Sequence, residues 1–181
     1  MFANLRRRKA AREAAQIGYG NIVTQSRAPD FYLHWGVPDT LDGRFELLVM
    51  HVFLVLNRLK REGAEAADFS QLLFDIMFDD LDRGVREMGA TDIGVGRHVK
   101  TMARGFFGRV AAYEKGLRDK AALRSAMRRN LYGTADPGAD QLEMAVSYLL
   151  RQVEALAGAS TASLLVGKIP FAPMGDVHDS A

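Results

Sequence analysis

Four aspartates fall within eight residues: Asp75, Asp79, Asp80 and Asp82. Carboxylates that dense are raw material for a cation site or an acid–base pair. Read as a helix, Asp75, Asp79, Asp82 and Arg86 line one face at steps of four, three and four. The opposite face is an apolar stripe of Phe69, Leu73, Met77, Leu81 and Met88. Asp79 and Arg83, like Asp82 and Arg86, stand at i,i+4 and are spaced to pair. A di-metal bundle needs Glu-x-x-His, which the chain lacks. The stripe reads as a solvated face, or as an acidic contact for a partner. His51 sits on a second line, Arg44, His51 and Arg58, spaced by seven on an otherwise apolar helix. It has no histidine or carboxylate at i+3 or i+4, so it is no metal ligand. The line is either a sliver of solvent exposure or a polar groove. With no cysteine there is no disulfide, thiol catalyst or thiolate metal site. Neither a P-loop, GxSxG, HExxH nor a Rossmann fingerprint is present. Catalytic residues, metal and cofactor are therefore all expected to be none.

Two charges lie on apolar lines. Asp80 adjoins the stripe of Leu73 and Met77, and Arg109 falls in line with Met102, Phe106 and Tyr113. Burying either alone is costly, whereas a hydrogen-bonded pair is tolerated. Asp80 is expected to pair with Arg109, or with Arg44, across a helix interface as a structural ion pair. Gly105 and Gly108 interrupt the same helix at about 1 kcal/mol each against alanine. Close helix packing accounts for them, or a ligand or peptide lying over them.

The elements that must hold these residues are helical. The chain has 181 residues, 48% apolar and 25% charged. That is enough to bury a core of its own as one domain. Helical periodicity recurs and strand alternation does not. The reading is all-α, six to seven helices with a long apolar central one. A weak first helix covers 4–26, interrupted at Gly18 and Gly20. A non-helical connector, 30–37, lies between Pro29 and Pro38. Asp39 or Thr40 caps a helix over 41–62, and Asp68 caps the next, to Met88. A turn at 89–92 leads to helices over 95–117 and 120–132. Asp136-Pro137 opens another to about 156, and 161–167 adds a last turn. Residues 1–169 form one domain and 170–181 a mobile tail.

Charge is uneven. Residues 1–13 hold five bases against one acid; residues 65–92 hold eight acids against two bases; residues 97–129 hold ten bases against two acids. Opposed blocks face each other in the fold, present two distinct surfaces, or both. The longest strongly apolar run, 47–56, is half a membrane span and contains His51. The Arg-rich start lacks a secretory signal's apolar run and continues into helix formers. It reads as a basic helix rather than a transit peptide.

Three runs, in order and in register, resemble one family. They are Gly36-Val37-Pro38-Asp39-Thr40-Leu41-Asp42-Gly43-Arg44-Phe45-Glu46, then Phe74-Asp75-Ile76-Met77-Phe78-Asp79-Asp80-Leu81-Asp82-Arg83 with Arg86-Glu87-Met88-Gly89. The third is Asp92-Ile93-Gly94-Val95 followed by Phe106-Phe107-Gly108-Arg109-Val110-Ala111-Ala112-Tyr113. They look like the ubiquinol–cytochrome c chaperone family over roughly 20–155, most specifically over 31–113. The resemblance implies an all-helical, non-enzymatic assembly factor for the cytochrome bc1 complex, respiratory complex III. Its mitochondrial members help newly made cytochrome b, associate with the translating ribosome and act with a small partner protein. This chain resembles a bacterial member. The implied place is the bacterial cytoplasm, peripheral to the inner membrane, or the matrix side in a eukaryote. The implied partner is cytochrome b or a bc1 assembly intermediate.

A chaperone of a membrane protein must offer apolar surface. Phe31, Tyr32 and Trp35, in the connector, and Arg44 are the candidate client surface. Asp75, Asp79 and Asp82 are a second contact. The alternative for the aromatics is a connector folded onto the core. The basic N-terminus offers a contact for anionic membrane or ribosome, but no specific DNA recognition. Two other classes remain. One is a nucleic-acid module using Arg118, Lys120, Arg124, Arg128, Arg129 and the N-terminus. The other is a small helical enzyme using the aspartates and His51.

Overall fold

The computed structural model describes residues 2–87, 92–133 and 135–175. Every regular element among them is helical, and none is a strand. In order these are α1 (Phe2–Ser26), the single turn α2 (Asp30–Leu33), α3 (Leu41–Leu59), α4 (Ala64–Glu87) and α5 (Asp92–Gly116). Then come α6 (Lys120–Met127), which runs into a π-helical turn (Arg128–Tyr132), α7 (Ala139–Ala157) and α8 (Thr161–Leu165). The all-α class is as expected. Met88, the turn residues 89–91 and the tail beyond 175 lie outside the described residues.

α3 packs against α1, α4, α5, α7 and the π-helical turn. Leu47, Val49, Met50, Val52 and Val55 have no exposure, as a helix apolar on several sides requires. The expected long apolar central helix is corrected in two respects. At 19 residues α3 is shorter than α1, α4 and α5, and it buries Glu46 and His51 among its apolar side chains. Thr40 is its cap: the hydroxyl oxygen accepts from the Gly43 amide at 3.1 Å. A Cβ on Gly43 would collide with the Pro38 carbonyl oxygen, so this tight entry requires glycine.

α1 is continuous through Gly18 and Gly20, contrary to the expected interruption. Ala15, Tyr19 and Ile22 enter the core at helical spacing. A Cβ on Gly18 would lie 3.3 Å from the Phe69 ring and 3.5 Å from Gly167, so glycine lets α1 close on its neighbours. α4 begins at Ala64, before the Asp68 cap expected from sequence, because Gly63 at φ +93° turns the chain directly into it. α7 starts two residues after Pro137, where Gln141 Oε1 accepts from the Gly138 amide at 3.0 Å.

The connector folds onto the core. α2 interrupts the stretch expected to be non-helical, and it turns Phe31 and Trp35 inward, at 0% and 3% exposure. Phe31, Trp35, His51 and Tyr148 form one ring cluster with centroids 4.9–5.7 Å apart, mostly edge to face. Phe171 closes it, 5.4 Å from His51. Residues 170–175, expected to belong to a mobile tail, lie against α7. Gln152 and Ala172 exchange two hydrogen bonds of 2.7 and 2.8 Å, and Arg151 donates to the Met174 carbonyl at 2.8 Å.

His51 is wholly buried, so the line through Arg44 and Arg58 is not exposed at its middle. Its Nδ1 faces the Leu47 carbonyl at 2.7 Å and must donate, because a carbonyl only accepts. Nε2 therefore accepts from the Tyr148 hydroxyl at 2.8 Å, and that oxygen accepts in turn from Gln25 Nε2 at 2.9 Å. This chain of donors requires a neutral imidazole. Burial depresses its pKa from 6.5 to about 4, against a small opposing effect of the Leu47 carbonyl.

Glu46 is the second buried polar group of α3, and its partner is Arg109. Nε of Arg109 donates to both carboxylate oxygens at 2.5 and 2.7 Å, and Nη2 donates as well. Burial pushes the Glu46 carboxyl above its ordinary range, and the Arg109 guanidinium offsets only part of that rise. The expected Asp80–Arg109 pair is thus replaced. Asp80 faces α1 instead: it accepts from the Tyr19 hydroxyl at 2.9 Å and lies 4.0 Å from Arg83. Arg83 accordingly pairs with Asp80 and not with Asp79. Burial, then Asp80, pushes the Tyr19 hydroxyl well above its ordinary range.

Two outcomes are expected. Arg109→Ala strands the Glu46 carboxylate and should lower the unfolding free energy by about 2–3 kcal/mol. A fully buried pair would lose about 3–5, but Arg109 keeps a quarter of its side chain exposed. Glu46→Leu with Arg109→Met should recover most of the loss in urea denaturation. The second outcome concerns pH. Unfolded His51 binds a proton below about 6.5 and native His51 only below about 4, so stability falls as pH drops between them. The stability gap between the native chain and His51→Gln should shrink by about 2 kcal/mol from pH 7 to pH 4.5.

Candidate functional site

The first two turns of α3 form a ridge between two hollows. Phe45 and Met102 line both. On one side, between α1, α3 and α4, is an apolar hollow of about 250 Å³. Val23, Leu48 and Leu81 give it an apolar lining, and Leu41 contributes while half exposed. Arg27, Arg44 and Asp80 supply its charges. Arg44 Nε donates to Asp39 at 2.7 Å. That bond lowers the Asp39 carboxyl and raises the Arg44 guanidinium. Tyr32 lies within electrostatic reach of Asp39, Arg44 and Arg27, and partial burial raises its hydroxyl.

Of the predicted client surface, then, Arg44 lines this hollow, and Tyr32 stands outside its lining but within electrostatic reach of Arg44. Phe31 and Trp35 do neither, because edge-to-face packing with Tyr148 draws them into the core. The aspartates fan along the outer face of α4. Asp75 accepts from Gln71 at 2.7 Å, Asp82 from Arg86 at 2.7 Å, and Asp79 is exposed. Among the described residues, no three histidines or carboxylates converge to hold a metal ion. Asp80 alone of the four reaches the hollow. Arg27, Leu41 and Leu81 were missed by sequence reasoning. Leu81 has the pattern of a core residue, and nothing in the order of residues marks the end of α1 as a neighbour of α3 and α4.

Beyond Phe45, between α3, α5 and the π-helical turn, lies a larger polar cleft of about 610 Å³. The Glu46–Arg109 pair lines it, with Asp42, Arg129 and Asn130. The Arg109 guanidinium sits 5.5 Å from the Phe45 ring centroid, a cation–π arrangement. A Cβ on Gly105 would lie 2.7 Å from Arg109 Nη1, so this glycine makes room for the arginine one turn later. A Cβ on Gly108 would meet nothing within 4 Å, so helix packing does not explain that glycine. A third, apolar groove of about 390 Å³ between α3, α4 and α5 includes Leu56, Phe74, Phe106, Phe107 and Val110. Phe107 is 60% exposed there, whereas Phe106 is buried.

The comparisons with known proteins fit this architecture. Residues 33–171 match the family model described as ubiquinol-cytochrome C chaperone. The match begins just after Phe31 and Tyr32, and it continues past the limit at 155 expected from the sequence. The chain is 25% identical over 158 residues to ubiquinol-cytochrome c reductase complex assembly factor 1 of Mus musculus. That alignment covers 86% of this chain and 54% of the mouse protein. The Homo sapiens protein of the same name is 25% identical over 158 residues, covering 86% of this chain and 53% of its own. This chain thus spans about half the length of those relatives. The crystal structure of the Cbp3 homolog from Brucella abortus superposes with a TM-score of 0.84 at 34% identity, covering 96% of this chain and 98% of that one. With more than half its length matched in sequence and the same helices in the same arrangement, the chain belongs to the ubiquinol-cytochrome C chaperone family.

Proposed function

We propose that this chain is a non-enzymatic assembly chaperone for ubiquinol–cytochrome c reductase, the bc1 complex. Its client is cytochrome b or an early intermediate that contains it. The family match over 33–171 carries this reading, and the relatives' names specify assembly of that complex. The family is one of chaperones and not of enzymes.

The client surface is the apolar hollow and its rim. A segment of a membrane protein brings oily side chains, and Leu41, Leu48 and Leu81 meet them without water. Arg27, Arg44 and Tyr32 suit the polar groups at such a segment's end. Asp75, Asp79 and Asp82 offer a second contact beside it. No helix among the described residues is long and apolar enough to cross a membrane. The working place is the bacterial cytoplasm against the inner membrane, with the basic start of α1 facing an anionic surface, lipid or ribosome. Arg6, Arg7, Arg8 and Arg12 are exposed there.

The nucleic-acid reading is weaker. Lys120 and Arg124 share Glu143, and Arg128 pairs with Asp136, so two of the five charges of the basic stretch are offset within the fold.

Deleting the gene should lower the cytochrome b haem signal and ubiquinol oxidation in membranes. Unchanged values would overturn the function. A Tyr32→Ala/Arg44→Glu chain should fail to restore them while losing no more than about 0.5 kcal/mol of stability. Full restoration would move the client surface elsewhere. Trp35→Ala should instead lose about 3 kcal/mol or more, since it empties the core beneath the connector.

A further inference from the structure

The polar cleft beyond Phe45 has features that the chaperone reading does not use. It is the largest of the three hollows, and it is walled by a π-helical turn. Such turns are rare and often mark functional sites, because they splay the backbone to place side chains. This one places Arg129 and Asn130 in the cleft wall.

The hydrogen-bonding there is incomplete. Asn130 Nδ2 is buried and has no partner among the described residues. Tyr113 is wholly buried behind the same wall, and its hydroxyl, close to Asn130, has no partner of acceptable geometry among them either. Buried polar groups are rarely left so. Arg109 spends Nε and Nη2 on Glu46, which leaves Nη1 with donor capacity. Arg129 is exposed and carries no ion pair among the described residues, unlike its neighbour Arg128. Asn130 and the Tyr113 hydroxyl face each other, so the donors left over toward the cleft are Nη1 of Arg109, Arg129 and a second N–H of Asn130, and they ask for an acceptor.

Charge and lining narrow the class. Asp42 and Glu46 share the cleft, so a doubly charged phosphate meets repulsion from two carboxylates. A single carboxylate meets less, and it matches the planar fork of Arg129. The remaining wall is mixed: Pro38, Phe45, Met102 and Leu131 supply apolar surface, with Thr40, Thr101 and Tyr132 among them. We propose that this cleft binds a small apolar monocarboxylic acid. Its carboxylate lies against Arg129, Asn130 and Nη1 of Arg109, and its hydrocarbon body against Phe45 and Leu131. The site stands on its own geometry and does not depend on the chaperone reading.

The test uses the full chain and four probes: octanoate, octanol, inorganic phosphate and an octapeptide with a free apolar C-terminal carboxylate. Binding is followed by calorimetry and by the side-chain amide NMR signal of Asn130. Octanoate should bind with a millimolar or lower Kd and shift that signal, whereas octanol and phosphate should do neither. Arg129→Gln and Asn130→Leu should each weaken octanoate by about tenfold or more, the loss of one charge-assisted bond. Both substitutions sit at the cleft wall and leave Glu46–Arg109 in place. Their folding is checked by circular dichroism. Equal binding of octanoate and octanol would reduce the cleft to an oily groove and overturn the proposal. So would octanoate binding that ignores both substitutions, no binding at all, or binding confined to the peptide.

Discussion

A helix buried on most of its circumference has to satisfy every polar group it carries from other helices. α3 carries two such groups, and the rest of the fold is arranged around meeting their demands. His51 takes a hydrogen bond from Tyr148 on α7, and Tyr148 is held by Gln25 on α1. Glu46 takes Arg109 from α5. Two of the helices packed on α3, α5 and α7, are thereby tied to it by directional bonds as well as by oily contact, and α1 is tied to α7 through Gln25. Apolar packing tolerates rotation of one helix against another; these bonds do not. The pair does not have to add net stability to have this effect. Buried ion pairs often give little in balance, but breaking one is costly. Register between α3, α5 and α7 follows from that asymmetry.

The same bonds position the surface. Gly105 leaves room for the Arg109 guanidinium as it reaches Glu46, and the Phe45 ring flanks it. Phe45 is then the wall between the apolar hollow and the polar cleft. The ring cluster of Phe31, Trp35, His51 and Tyr148 holds the connector so that Tyr32 and Arg44 stay outside while their aromatic neighbours go in. Within the single turn of α2, Phe31 is fully buried while its neighbour Tyr32 is half-buried against the core. Had the connector been extended, alternation would have sent Phe31 and Trp35 the same way without fixing which way that was.

The long helices and their order were legible because they rest on local signals, whereas the single turn α2 was not. Thr40 before α3, Asp119 before α6 and Gly133 after the π-helical turn act within a few residues. Partnership was not legible. Asp80 and Arg109 stand out as charges on apolar lines, but Glu46 is hidden as one acid in a motif run. The choice between Asp80 and Glu46 depends on which face of α5 meets α3, and periodicity within one helix does not encode it. His51 likewise has two readings from spacing alone. Its burial is decided by Tyr148 and Phe171, which lie some hundred residues on. The aromatics of the connector show the same gap. Their type fits an interface and a core equally well, and only the edge-to-face partners on α7 settle the matter.

A chaperone for oily segments faces a conflict between staying dissolved and offering apolar surface. This fold meets it by subdivision. Its exposed large apolar side chains, Ile17, Leu33, Leu41, Phe107 and Val166 among the described residues, are distributed over α1, α2, α3, α5 and the end of α8. Scattered residues of this kind make no continuous patch of the size that drives self-association. The apolar capacity is instead held in concave places, the hollow beside Arg44 and the groove beside Phe107, where flat surfaces of other copies reach poorly. Charged residues stand beside the openings, Arg27, Arg44 and Asp80 at one and Lys60 at the other, and favour water over a second apolar surface there.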